Sequence, residues 1–211
     1  MKAITVWQPW AGALAAGIKE NETRSWATKY RGPIAIHAAM REVFDGLALI
    51  PVPIALKIKE ALRCEWADMP RGAIVATGEL VDCIKITPEF VATLSPDELA
   101  LGDYTLGRYA WKLANVKSLP EPIPTKGKQG LWSWEALLLR HKGRDSWDRP
   151  VYEDEAGKLW KDVEPNADRG PKLCSALYNA FDGEPDTPME YMSKYKGVPV
   201  VFLPERDTWT W

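Results

Sequence analysis

Lys19 sits just before Glu22, Thr23 and Arg24, and this short charged segment is the first part of the chain whose residue types could do chemistry. A hydrated ammonium binds phosphate, whereas a desolvated one loses its proton nearer neutrality and becomes a base or a nucleophile. Arg24 and Arg31 can hold a phosphate or a carbonyl through paired N–H donors. Glu79 could accept a proton or the exocyclic amine of a base. Trp7, Trp10 and Trp26 could stack on a base, each contributing about 1–3 kcal/mol where such stacking forms. Every one of these residues also has a structural reading. Lys19 and Arg24 can be surface charges after a helix, with Glu22 pairing one of them at little energetic value. Glu79 can satisfy Arg24 or a backbone N–H. His37, on an apolar stretch, reads as a hydrogen-bonded core histidine.

The elements that must position these residues are short. Ala3–Val6 reads as a strand, followed by a small-residue helix that Pro9 opens and Gly17 closes. Gly32–His37 predicts an apolar strand entered through a Gly-Pro turn. Residues 41–63 predict a helix in two pieces, interrupted by Pro51 and Pro53. Gly72–Ile84 is the strongest strand, with Gly78 marking a bulge or a close backbone approach. Pro96–Leu101 predicts a short helix and Tyr109–Leu113 a half-buried strand. Pro120, Pro122 and Pro124 read as a stiff connector into the turn-rich Thr125–Trp132 segment. Strands and short helices without regular alternation imply an α+β barrel or half-barrel, not a doubly wound sheet.

Composition narrows the class. The 211 residues are 46% hydrophobic and 27% charged, as in a globular protein. A net charge of −2 excludes the strong basic excess of a protein that coats duplex DNA, so nucleic-acid affinity would have to come from a local groove. Such a groove has a candidate in the first 32 residues, where Lys2, Lys19, Arg24, Lys29 and Arg31 face only Glu20 and Glu22. Residues 141–211 carry 10 Lys and Arg against 14 Asp and Glu, the acidic part of the chain. Cys64, Cys83 and Cys174 are far apart and odd in number, which predicts small core residues in a reducing compartment and argues against a zinc ribbon. No apolar run has the length of a membrane span and the N-terminus lacks the long apolar region of a signal peptide, so the expected location is cytoplasmic. The 181–188 acidic turn misses calcium-loop spacing, and no nucleophile elbow, zinc helix or phosphate-cradling glycine loop occurs. No metal and no cofactor is expected.

Taken in order, Ile4–Trp10, Gly17–Lys19 with Glu22–Trp26, Tyr30–Ala38, Gly72–Glu79, Gly107–Trp111 and Lys126–Trp132 resemble the ASCH domain family. The resemblance implies a PUA-like fold, a small β-barrel flanked by short helices, over residues 1–140, with residues 141–211 as a C-terminal extension. It implies a cleft near the Gly-x-Lys segment that binds RNA or a modified nucleoside, with single-stranded DNA as a further ligand. Trp7, Gln8, Trp10, Arg24, Trp26 and Arg31 are then the ligand-binding candidates. Some family members hydrolyse the amide of N4-acetylcytidine with a lysine, a threonine and a glutamate, and one is described as a ribonuclease. Amidohydrolase or ribonuclease activity is therefore the alternative, with Lys19, Glu22, Thr23 and Glu79 as catalytic candidates. This chain departs from the deacetylating pattern, because Glu22 stands where the threonine is expected and Thr23 comes one residue late. On a strand that offset points a side chain to the opposite face. The extension predicts a hairpin turning at Ala156-Gly157, an edge strand at 198–203 and a protein-docking strip at Asp207–Trp211.

Overall fold

In the computed structural model, which describes residues 1–177, 180–203 and 206–209, the apolar alternation of the N-terminal segments becomes one six-stranded sheet. Its strands are β1 (Lys2–Val6), β2 (Asn21–Arg24), β3 (Gly32–Ala38), β4 (Ala73–Lys85), β5 (Tyr109–Pro124) and β6 (Leu131–Ser133), in the order β2-β5-β4-β3-β1-β6. β1 lies parallel to β3, and every other pairing is antiparallel. Five short helices, α1 (Trp10–Ala15), α2 (Val43–Leu47), α3 (Val52–Leu62), α4 (Pro88–Val91) and α5 (Pro96–Ala100), interrupt the strands, as the α+β reading expects.

The core explains the placement of α1. Ile4, Leu14, Ile34, Ile36, Leu80 and Trp111 form one buried cluster, and the small residues Ala11, Gly12, Ala13 and Ala15 let the helix settle onto β3, β4 and β5. Gly17 closes the helix at φ +70°, a conformation that glycine adopts without a Cβ penalty. At Gly78 the backbone of β5 comes close, since a Cβ there would meet Val116 Cγ2 at 2.9 Å and Ala114 O at 3.1 Å. The β4–β5 register shifts at the same place, as the interior glycine predicts.

The proline-rich 120–124 segment is not a connector but the end of the 16-residue strand β5. The Thr125 N–H donates to Gly72 O, so by alternation Pro124 turns its nitrogen away from β4, while Pro120 and Pro122 fall in the irregular stretch between Ser118 and Ile123 where the β4–β5 register shifts. β5 pairs with β2 only at Tyr109–Lys112, so the side of this stretch away from β4 faces no strand, and proline is tolerated at such an edge and at a bulge.

The chain divides into two compact units, Met1–Trp134 and Glu135–Trp211. The expected boundary after Arg140 falls inside β7 (Leu137–Arg144), the first strand of the second unit. That unit is a five-stranded sheet with β8 (Pro150–Glu153), β9 (Leu159–Asp162), β10 (Leu173–Ser175) and β11 (Val200–Leu203), in the order β10-β9-β8-β7-β11. The β8–β9 hairpin turns through Gly157 at φ +79°, and β11 is an edge strand parallel to β7. Its core holds Leu139, Tyr152, Trp160 and Leu173. Beside it Asp145, Lys161 and Asp162 are buried charges, with Lys161 Nζ 3.0 Å from Asp145 Oδ2 and Arg149 Nε 2.8 Å from the same oxygen.

Of the expected docking strip, Thr210 and Trp211 lie outside the described residues. The described part is not free: Asp207 accepts from Arg144 at 2.6 and 2.8 Å, and Trp209 Nε1 donates to Asp148 O at 3.0 Å. All three cysteines are free thiols, Cys174 buried and Cys64 and Cys83 half-buried. Among the described residues no cluster of His, Cys, Asp and Glu could hold a metal ion, and no helix is long and apolar enough to cross a membrane.

Candidate functional site

The stop of α1 at Gly17 turns the chain so that Lys19 enters the interior of the first unit before β2 begins. Lys19 is 2% exposed, and its Nζ has no hydrogen-bond partner among the described residues. Glu98, on α5, places Oε1 4.0 Å from that nitrogen. The carboxylate is itself fully engaged, accepting from the Glu20 N–H at 2.8 Å, the Asn21 N–H at 3.0 Å, Asn21 Nδ2 at 3.2 Å and the Tyr104 hydroxyl. The carboxylate thus accepts four hydrogen bonds, whereas the lysine keeps its donors unmet among the described residues. Burial lowers the Lys19 pKa; the negative charges of Glu22 and Glu98 oppose this and Arg24 adds to it. Burial, with the hydrogen bond to Glu98, raises the Tyr104 hydroxyl well above its ordinary range.

Lys19 lines a cavity of about 490 Å³, of the size that small-molecule sites have. Trp7, Trp10, Glu22, Thr23, Arg24 and Arg108 are among its other walls. β2 supplies Glu22 and Arg24 two residues apart, on one strand face. Arg24 Nη2 donates to Thr5 O at 2.8 Å and stands 3.2 Å from Glu22 Oε1, while its Nε is buried without a hydrogen-bond partner among the described residues. Thr23, of opposite parity, lies at the rim, where its Oγ1 accepts from the Asp103 N–H at 3.2 Å. Trp7 is 45% exposed, with the Arg41 guanidinium 3.8 Å from its ring centre.

A second cavity of about 790 Å³ shares the Thr5, Trp7 and Arg24 wall. Its far side is the 125–130 loop, with Lys126 and Lys128, and His37 of β3. His37 Nε2 bonds to Thr125 O at 2.8 Å, and since a carbonyl only accepts, that nitrogen carries the proton. Burial lowers the His37 pKa, against that hydrogen bond. The ring is therefore neutral near pH 7, as the core-histidine reading expects.

Of the ten residues singled out in the sequence, Trp7, Trp10, Lys19, Glu22, Thr23 and Arg24 meet at the first cavity. Four do not. Gln8 is buried and tied to backbone, its Oε1 accepting from Gly12 N–H and its Nε2 donating to Pro70 O. Trp26 packs edge-on against Trp111 with centroids 4.6 Å apart. Arg31 pairs with Asp82 at 3.0 Å. Glu79 reaches Asn115 Nδ2 at 3.4 Å and lines neither cavity. The carboxylate beside Lys19 is Glu98 instead. Sequence reasoning missed it because Ser95-Pro96-Asp97-Glu98 has the form of a helix-capping box. Ser95 does accept from the Glu98 N–H at 3.1 Å, yet the Glu98 carboxylate turns to Glu20 and Asn21.

The ASCH domain family model matches residues 4–123, inside the unit that holds both cavities. Activating signal cointegrator 1 of Homo sapiens is 26% identical over 141 residues, 66% of this chain and 23% of that protein. The Mus musculus protein of the same name is 25% identical over 141 residues, with the same shares. The chain thus spans about a quarter of the length of these relatives.

Proposed function

The chain belongs to the ASCH domain family, and from that premise we propose that its first unit, read as a PUA-like barrel, binds RNA or a modified nucleoside in the Lys19 cavity. One observation carries this reading: the buried Lys19 ammonium reaches the cavity with no hydrogen-bond partner among the described residues, although the adjacent carboxylate is fully satisfied. A buried polar group left unmet is costly, so the site is better satisfied with a ligand acceptor in place. Trp7 and Trp10 on the walls suit a planar base, and Arg24 suits a phosphate or a carbonyl. A local groove of this kind supplies affinity that the net charge of −2 does not. Single-stranded DNA offers the same base and phosphate chemistry. The test is calorimetric titration of cytidine, N4-acetylcytidine and a short single-stranded RNA into the intact protein and into Lys19→Met. Binding that weakens at least about tenfold in the variant supports the reading; equal affinity in both proteins overturns it.

A second reading, hydrolysis of an acylated cytidine-type nucleoside, is favoured by the burial that lowers the Lys19 pKa. Neutral Lys19 would take a proton from an attacking water as the new C–O bond forms at the amide carbon. The C–N bond then breaks, the proton passes to the departing amine, and nucleoside and carboxylate are the products. Glu22, one of two carboxylates on the cavity wall with Asp103, could relay that proton, while Glu98 stands behind the lysine as a positioning residue. Mass spectrometry of N4-acetylcytidine incubated with the protein decides between binder and hydrolase, since only the latter releases acetate. Incubation with single-stranded RNA tests the ribonuclease alternative in the same way.

A further inference from the structure

Three lining side chains of the second cavity are cations, Arg24, Lys126 and Lys128, and none of its lining residues is an aspartate or a glutamate. The Lys19 cavity, in contrast, mixes its cations with Glu22 and Asp103. The loop that carries the two lysines is held at both ends: Thr125 O is bonded to His37 Nε2 at 2.8 Å, and Lys128 O accepts from Thr5 Oγ1 at 2.8 Å. Between them Gly127 lies close against the His37 ring, where a Cβ would come within 2.4 Å of Cε1. The loop therefore presents two exposed ammonium groups on a fixed turn, next to the Trp7 and Arg24 wall that both cavities share. Lysines carried on a pinned turn, in a hollow whose own lining holds no acidic residue, suit an anion, and the shared wall suits one ligand that extends across it.

We infer that the second cavity is a phosphate subsite, so that the ligand of this fold is a phosphorylated nucleoside whose base side faces Lys19 and whose phosphate faces Lys126 and Lys128. This rests on the proposed binding of a nucleoside in the Lys19 cavity and names its ligand class more narrowly. The phosphate is either the terminal group of a mononucleotide or the diester linking the next unit of a strand; the chemistry at the loop is the same.

The test titrates cytidine, cytidine 5′-monophosphate and an RNA trinucleotide into the intact protein and into a Lys126→Ala/Lys128→Ala variant. Both lysines are exposed, so the variant keeps its fold, which thermal denaturation verifies. The expected result is that the monophosphate binds about tenfold more tightly than cytidine, and that the variant loses this gain while holding cytidine as before. If the trinucleotide gains further over the monophosphate, with a salt dependence that the variant reduces by about one unit of log–log slope, the phosphate comes from a strand. A monophosphate that gains nothing over cytidine, or a gain that survives in the variant, overturns the subsite and leaves the nucleoside reading standing. Phosphorylated ligands that bind through the two lysines but ignore Lys19→Met retain the anion-binding cavity and overturn the nucleoside reading. Absence of binding by all three ligands overturns both.

Discussion

Lys19 and Glu98 stand 4.0 Å apart in the interior of the first unit, the lysine 2% and the glutamate 5% exposed, and only the glutamate has its hydrogen bonds filled. A buried pair is stabilising only when both members are satisfied. The asymmetry leaves positive charge facing the cavity while its counter-charge is anchored in the scaffold. Glu98 joins α5 to the start of β2, and so sets where Lys19, Glu22 and Arg24 stand relative to one another.

Glu98→Ala removes the acceptor for two backbone N–H groups and the only carboxylate within ion-pairing distance of Lys19 among the described residues. The expected loss is about 3–5 kcal/mol in urea denaturation. Glu98→Gln keeps an oxygen for the backbone donors and should lose less. Equal losses in the two variants would show that the charge, not the hydrogen bonding, fastens α5 to β2.

Lys19 links the site to pH. Its pKa in the folded protein lies below the ordinary 10.5, chiefly because it is buried. Between that lowered value and 10.5 the unfolded chain binds one more proton than the folded one, so stability rises with pH across this window. Below the lowered pKa the cost of burying the ammonium is present in full. Lys19→Met should remove the alkaline rise, and urea midpoints measured from pH 7 to 10.5 check it. A rise that persists in the variant would assign it to another group.

Much of this architecture is legible in the sequence because local chemistry and tertiary structure agree. Pro9 and Gly17 bound α1, Pro51 caps the start of α3 with Pro53 in its first turn, which divides α2 from α3, and Gly78 sits at the β4–β5 register shift. The grouping of Lys19, Glu22 and Arg24 is legible too, since three residues within one short segment stay together whatever the fold does. What fails depends on distance along the chain. Glu79 carries the right chemistry, but its strand position faces Asn115, and Glu98 arrives at Lys19 from 79 residues away under the guise of a capping residue. The prolines of β5 mislead because proline breaks a ladder only where its nitrogen faces a partner, and that depends on which side of the strand is paired.

The tryptophans separate binding from packing. Trp7 is exposed, stacks on Arg41 and lines both cavities, so Trp7→Ala should weaken ligand binding by about 1–3 kcal/mol with little change in stability. Trp26 lines neither cavity and packs on the buried Trp111. Trp26→Ala should show the reverse, lower stability with unchanged affinity. Fluorescence titration and thermal denaturation of both variants make the comparison, and matched affinities for the two would remove Trp7 from the site.

Lys161 in the second unit is as buried as Lys19 but has both a carboxylate and a carbonyl as partners. It pairs with Asp145 at 3.0 Å and donates to Gly183 O, with both charged side chains fully buried. Lys161→Met leaves Asp145 with Arg149 as its remaining cation. Breaking one side of such a pair costs about 3–5 kcal/mol, which urea denaturation would detect. A loss under about 1 kcal/mol would mean that Arg149 alone balances the buried carboxylate.

Gly127 tests whether the loop geometry matters to the second cavity. An alanine Cβ would lie 2.6 Å from His37 Nδ1 and 3.0 Å from Thr5 Oγ1, and the ring cannot turn aside without breaking its bond to Thr125 O. Gly127→Ala must therefore move the loop, at an expected cost of about 1–3 kcal/mol, and carry Lys126 and Lys128 with it. His37→Ala removes the obstruction. In that background Gly127→Ala should cost much less, giving a coupling energy in the double-mutant cycle of about 1 kcal/mol or more. Additive losses would mean that the glycine is needed for its backbone alone, and that His37 does not hold the lysine-bearing turn in place.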